Sequence, residues 1–378
     1  MTHNPRRIIF SFLILLFIGQ LPFFSTPAQE TTPNDYYTTT EQPDLLIILS
    51  PQYAADNDIS HAIHSYIIAV RSDLGWHAQI LPIHDDQNDY RIIDELIETT
   101  HQDHPLKACI MVGEDLNTPL GGDSDYLEQP STLPWSTLGG PTAYNTTEQG
   151  ILCKPTIQHI CISLLYPTAS LPYEQKKSFL IFAFQKFATQ RHTPSPQKIH
   201  VLESSDLSST SRPLYQQLRT YTNMSYTEDA TDSEITSSLS TPYAAYFVHG
   251  HSNPAGTDTN QQKHTGWFPV ENIDRLQTPF FGADGCYVAG WWSDHHDNNQ
   301  LDPSIDAAWY GSKIFTSASL QAMALGLLSQ NGYSTPVGFL ETALPELLCG
   351  KTLAEAMIGD RTIGDTIIVG DPTFHYYI

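Results

Sequence analysis

Positive charge is scarce in this sequence. Lys and Arg total 18 against 41 Asp and Glu, a formal balance of −23. Residues 1–28 hold Arg6, Arg7 and no acid, so 16 basic residues face 41 acidic ones in the rest, a balance of −25. That excludes a broad polyanion-binding surface, because nucleic acid and anionic lipid are held by clustered Lys and Arg. Charge of either sign is low, at 16% of residues against the usual ~25%. Ser, Thr, Asn and Gln carry much of the polar surface instead. No repeat of fixed period is present, and no apolar run beyond residue 30 is long enough to span a membrane. What is present is apolar: 40% of residues are hydrophobic, which excludes disorder by composition. The 378 residues suffice for one large domain or two modest ones with a sizeable core.

Residues 1–28 read as a secretory signal peptide. Arg6-Arg7 opens it, Ile8 to Ile18 is apolar apart from Ser11, and Thr26-Pro27-Ala28 offers small residues for cleavage. No Cys follows the run, which argues against a lipoprotein anchor. Uncleaved, Ile8 to Phe24 would instead tether the chain to a membrane. The expectation is a secreted or periplasmic protein.

Cysteine is also scarce: Cys109, Cys153, Cys161, Cys286 and Cys349. An odd count in an exported chain leaves one thiol without a partner, and an oxidising compartment makes that thiol notable. Cys109 and Cys161 sit inside apolar runs and read as buried strand residues. Cys286 does not.

Residues 29–43 read as a linker. Strands are expected over 45–49, 78–81, 108–112, 160–165, 200–202, 243–248, 280–283, 313–317 and 366–369, from short apolar runs bounded by turn residues. Helical spacing marks 57–74, 90–100, 173–189, 211–222, 269–276, 335–348 and 352–358, with Gly75 as a C-cap. Residues 114–156 read as a long loop. Alternating strands and helices predict an α/β fold with a mostly parallel sheet, in two similar halves at 44–193 and 194–378.

Two strand ends carry the chemistry. Ala244-Ala245-Tyr246-Phe247-Val248 runs into His249-Gly250-His251, and Pro279-Phe280-Phe281-Gly282-Ala283-Asp284 runs into Gly285-Cys286. Ligands bind beyond the carboxyl ends of strands in an open parallel sheet. The 37 residues between His249 and Cys286 leave room for one crossover, so the strands can be neighbours. A thiolate beside an imidazole is an acyl-transfer pair, with His as general acid/base. The N–H groups of Gly250 and Cys286 are the expected oxyanion donors. Asp284 is expected to be a solvated turn carboxylate, and Trp291 and Trp292 the wall of a substrate pocket.

These strand ends resemble the caspase–legumain–gingipain clan of cysteine peptidases, and within it the gingipain-type peptidase domain. Ala108-Cys109-Ile110-Met111-Val112-Gly113-Glu114-Asp115, Gly350-Lys351-Thr352-Leu353-Ala354-Glu355-Ala356 and Ile368-Val369-Gly370-Asp371-Pro372-Thr373 are similar to further stretches of that domain. The resemblance covers residues 44 to 378. It implies a caspase-like three-layer α/β sandwich and a cysteine endopeptidase, here a bare, monomeric catalytic domain, acting on a protein or peptide without a required cofactor. Cys286 would be the nucleophile, His249 the acid/base, and Glu114 and Asp115 candidates for a substrate pocket. Three positions depart from the pattern. Leu164-Leu165-Tyr166-Pro167 lacks the usual Gly-Arg, Thr142-Ala143-Tyr144 lacks the usual acid, and Gly285 replaces the usual Ala. The missing acid puts Arg specificity in doubt, with Asp123 and Asp125 as substitutes.

Other chemistry stays open. His249, His251, His295 and His296 with Asp294 and Asp297 suit zinc, although H-E-x-x-H spacing is missing. Asp294 and Asp297 lie in an oxygen-rich run that is a candidate calcium site. A non-catalytic binding or assembly protein on the same fold is a third reading, and transpeptidation by the same dyad a fourth.

Overall fold

The computed structural model describes residues 42–118, 121–122, 132–138, 144–146, 151–153, 159–191, 198–220, 222–253, 255–260, 265–285, 319–326, 343–358 and 366–377. The signal peptide, most of the linker and the strand expected at 313–317 lie outside them.

Five apolar residues in a row make Leu45–Leu49 (β1), and all five are buried. A strand covered on both faces needs no polar alternation. β3 (Ala108–Val112) is likewise all apolar, and β7 (Cys161–Leu165) breaks such a run only at Ser163; both are buried along their length. The other strands are β2 (Ala78–Pro82), β4 (Gly121–Gly122), β5 (Tyr144–Thr146), β6 (Ile151–Cys153), β8 (Lys198–Glu203), β9 (Asn223–Glu228), β10 (Ala245–His249), β11 (His251–Asn253), β12 (Gly256–Asp258), β13 (Trp267–Pro269), β14 (Phe280–Asp284), β15 (Ala322–Gly326) and β16 (Thr366–Gly370). Ten of them form one sheet in the order β2-β1-β3-β7-β16-β15-β14-β10-β8-β9. Two small three-stranded sheets, β4-β6-β5 and β11-β12-β13, sit in connections.

Helices α1 (Asn57–Leu74), α2 (Tyr90–Asp103), α3 (Leu133–Ser136), α4 (Tyr173–Thr189), α5 (Ser208–Leu218) and α6 (Asp232–Ser238) follow the strands they flank. Asp56 caps α1, its Oδ1 accepting from the N–H groups of Asp58 and Ile59 at 2.9 and 3.1 Å. Gly75 ends the helix at φ 70°, a conformation that costs Gly little. Tyr66 of α1 packs on Phe184 and Phe187 of α4, with ring centroids 5.6 and 6.1 Å apart. Burying each such side chain stabilises by about 1.5–3 kcal/mol, which fixes the two helices together. Among the described residues no helix is long and apolar enough to cross a membrane.

Every neighbouring pair in the main sheet is parallel except β15 with β16. That one antiparallel seam sets direction. Strands β2, β1, β3, β7 and β16 run one way, and β15, β14, β10, β8 and β9 the other. The carboxyl ends of the two sets therefore lie at opposite edges of the sheet. Strand β16, from the end of the chain, lies with the strands of the first half.

Several elements differ from expectation. The helix expected over 211–222 runs from Ser208 to Leu218, because Asn223 already starts β9. β9 is polar and half-buried at the sheet edge, so no apolar run announced it. β15, Ala-Met-Ala-Leu-Gly, is a buried central strand without a β-branched residue. The loop at 114–156 contains β4, α3, β5 and β6. The short helix expected over 269–276 is a 3₁₀ helix at Val270–Arg275, preceded by the β11-β12-β13 sheet.

Candidate active site

Strand β10 ends at His249, and its two neighbours end at the same level. His249 pairs in register with Asp284 of β14 on one side and Glu203 of β8 on the other. Residues in register on neighbouring strands share a face, so the three side chains form a row. The ladder continues past the strand ends: Ser204 N–H donates to the His249 carbonyl at 3.0 Å, and Gly250 N–H to the Asp284 carbonyl at 3.1 Å. The Gly250 N–H expected to face an oxyanion is engaged in that bond.

The imidazole is hydrogen-bonded on one side and faces a second carboxylate on the other. Nδ1 lies 2.7 Å from Glu203 Oε1, and Nε2 lies 3.3 Å from Asp284 Oδ2. The side chains are 11%, 0% and 3% exposed for His249, Glu203 and Asp284, so the row is screened little by water. Glu203 is itself anchored. Tyr226 donates to its Oε2 at 2.6 Å and Tyr215 to its Oε1 at 3.3 Å. Beyond the row, His251 Nε2 lies 2.7 Å from Asp206 Oδ2 in a half-exposed pair.

Burial alone would push the His249 pKa down. Asp284, Glu203 and Asp206 outweigh it, and the net direction is up. The Asp284 carboxyl is pushed up to about 6, by burial first and by repulsion from Glu203, with His249 partly offsetting both. The row thus favours an imidazolium between two acids, a unit able to hold and deliver a proton near neutral pH.

Asp284 is 2% exposed and ends a buried strand, rather than standing in a solvated turn as expected. A Cβ on Gly285 would lie 2.4 Å from the Gly250 carbonyl oxygen and 1.9 Å from Ser252 Oγ. Only glycine permits this approach, which brings the turns after β10 and β14 into contact. The structure therefore gathers His249, Gly250, Asp284 and Gly285. Glu114 and Asp115 lie elsewhere. They follow β3, five strand spacings or ~24 Å along the sheet from β10, at the opposite edge because of the β15/β16 seam. There Glu114 forms a buried ion pair with Lys176 and accepts from Tyr53 OH at 2.9 Å, and the Asp115 carbonyl accepts from Asn88.

Cys286, Trp291, Trp292, Asp294, His295, His296 and Asp297 lie outside the described residues. Among the described residues no group of three or more His, Cys, Asp or Glu is arranged to hold a metal ion. Cys109 and Cys161 are buried thiols, and burial pushes both pKa values up. Cys349 carries an exposed free thiol. Glu203, the partner of Nδ1, escaped the sequence reading, which ended that strand at Leu202. The available signal was a carboxylate directly after the apolar Val201-Leu202 on a strand of the same half.

The crystal structure of the Arg-specific cysteine proteinase gingipain R (RgpB) superposes with a TM-score of 0.58 at 13% identity, over 90% of this chain and 80% of that one. The complex of the Porphyromonas gingivalis RgpB pro- and mature domains gives a TM-score of 0.60 at 12% identity, over 88% and 79%. The chain has the caspase-like gingipain fold. No family profile and no curated protein matches its sequence. At such identity the likeness carries the gingipain fold alone, so the chemistry must be argued from this chain's own side chains.

Proposed function

We propose that the protein is an exported cysteine endopeptidase, with Cys286 as nucleophile and His249 as general acid/base. The observation that carries this is the Glu203–His249–Asp284 row at the carboxyl edge of β8, β10 and β14. The chain reaches Cys286 one peptide bond after Gly285, and consecutive Cα atoms are about 3.8 Å apart. The proposed reaction requires that this thiol meet the imidazole.

In the proposed cycle the Cys286 thiolate attacks the scissile carbonyl, and the carbonyl π pair moves to oxygen. The Cys286 N–H faces that oxyanion. Collapse expels the amine, which takes its proton from the His249 imidazolium, and leaves a thioester on Cys286. His249, now neutral, accepts a proton from water as the oxygen attacks the thioester. Collapse of that adduct breaks the C–S bond, releases the carboxylic acid product, and restores the Cys286 thiolate and His249 imidazolium. Glu203 holds Nδ1 throughout, so the proton delivered is the one on Nε2, which rests against Asp284 until the amine leaves. The substrate is a protein or peptide, the protein acts as a monomer, and residues 1–28 direct export.

Cleavage of a diverse peptide library by the purified protein with a thiol reductant tests this reading, beside Cys286→Ala and His249→Ala. Cleavage lost in both variants supports it. Cleavage that survives Cys286→Ala and stops with a chelator would move the chemistry to a metal. No cleavage by well-folded wild type would leave a non-catalytic binding protein.

A further inference from the structure

Asp284 was not expected to take part in the site, yet its carboxylate occupies the second nitrogen of the imidazole. Glu203 already supplies the acceptor that fixes the ring at Nδ1. A second buried carboxylate on Nε2 is costly to place there, because burial favours its neutral form. A further buried acid next to Glu203 also suffers repulsion from it. The geometry points to a return for that cost.

We infer that Asp284 is a positioning residue for His249: as a buried ion-pair partner facing Nε2 it keeps the ring charged and sets the pH at which the imidazole gives up its proton. This rests on the proposed role of His249, but its signature is read on the imidazole itself. The groups facing His249 are Glu203 on β8, Asp206 in the turn after β8, and Asp284 on β14. Tyr215 of α5 and Tyr226 of β9 act through Glu203, and His251 of β11 acts through Asp206. Of the three carboxylates, Asp206 is bonded to His251 and Glu203 is shared with two tyrosines. Asp284 makes the closest approach to Nε2. The charges agree with an ion pair across this 3.3 Å contact: Asp284 pushes the His249 pKa up, and His249 pulls the Asp284 pKa down against its burial.

The test is an NMR titration of the His249 imidazole in wild type, Asp284→Asn and Glu203→Gln, with the resonance assigned by its loss in His249→Gln. In Asp284→Asn the midpoint should fall by about 1 pH unit or more, the usual effect of removing an adjacent opposite charge. The high-pH limb of peptide cleavage should move down with it. An unchanged midpoint in a folded Asp284→Asn protein overturns the inference. Should that variant not fold, the wild-type Asp284 carboxyl carbon serves instead. It should show a second step at the His249 midpoint, and a single-step curve overturns the inference. Loss of the shift with cleavage intact would refute only this inference. A shift without any cleavage would refute only the peptidase reading.

Discussion

Two buried clusters in this molecule have the same charge count and opposite characters. Each places one cation between two carboxylates. In the first, Arg191 bonds Asp73 at 2.7 Å, Thr373 Oγ1 at 2.9 Å and Asp371 at 3.4 Å, and Tyr66 donates to Asp371 at 2.6 Å. In the second, His249 lies between Glu203 and Asp284. The first joins α1, the second residue after α4 and the Asp371-Pro372-Thr373 turn, which are far apart in sequence. The second joins the ends of three adjacent strands. Arg stays charged at every working pH, so its cluster can only clamp. His titrates, so its cluster can move a proton. The choice of cation separates a structural knot from an acid–base unit.

The largest effect expected is on the clamp. Arg191→Met leaves Asp73 and Asp371 buried without their cation, and should cost about 3–5 kcal/mol in urea unfolding. The His249 titration should not move. A loss below about 1 kcal/mol would place the Arg191 cluster with ordinary surface pairs and erase the contrast.

Glu203→Gln tests the other cluster. It keeps the shape and removes the charge that holds the imidazolium at Nδ1. Peptide cleavage should fall ~10²-fold or more, about 2.7 kcal/mol of barrier, read as kcat at saturating substrate. A variant with unchanged kcat would reduce Glu203 to packing.

Asp284→Asn should do the reverse of Arg191→Met. The folded protein keeps the Asp284 proton up to about 6, whereas the unfolded chain loses it near 3.8. Stability from this group therefore falls as pH rises through that window and stays lower above it. Asn removes the loss, so the variant should be about 2 kcal/mol more stable than wild type at about pH 8, and equal to it at about pH 3. His249 adds a slope of the same sign. Its raised pKa gives stability that is full below about 6.5 and is lost as pH rises through the folded value. A destabilised Asp284→Asn at pH 8 would show that the two clusters are both clamps. The smallest effect is Tyr226→Phe, which removes one donor from Glu203 and should cost about 1 kcal/mol. Thermal melting reads it.

Most of the frame was legible because buried strands announce themselves. Leu45–Leu49, Ala108–Val112 and Phe280–Asp284 are short apolar runs between turn residues, and each is a strand of the main sheet. The neighbouring, parallel arrangement of β10 and β14 followed from strand order and crossover length. What escaped was set by non-local pairing. Glu203 meets His249 across 46 residues because β8 is the other neighbour of β10, which no local pattern states. The expected pocket residues Glu114 and Asp115 lie at the opposite edge because one antiparallel seam reverses half the sheet. Asp284 read as a turn because a carboxylate directly before a glycine usually is one. Its burial depends on partners on either side of its strand.

The measurement that tests the account most directly is the pH dependence of Cys286 alkylation by iodoacetamide, read by peptide mapping in wild type and His249→Ala, with the exposed Cys349 as reference in both. An imidazolium beside the thiol holds it as thiolate well below the ordinary value of about 8.5. The account predicts fast labelling of Cys286 at about pH 6 in wild type and a midpoint moved up toward that ordinary value in His249→Ala. The same labelling profile in both proteins would contradict it.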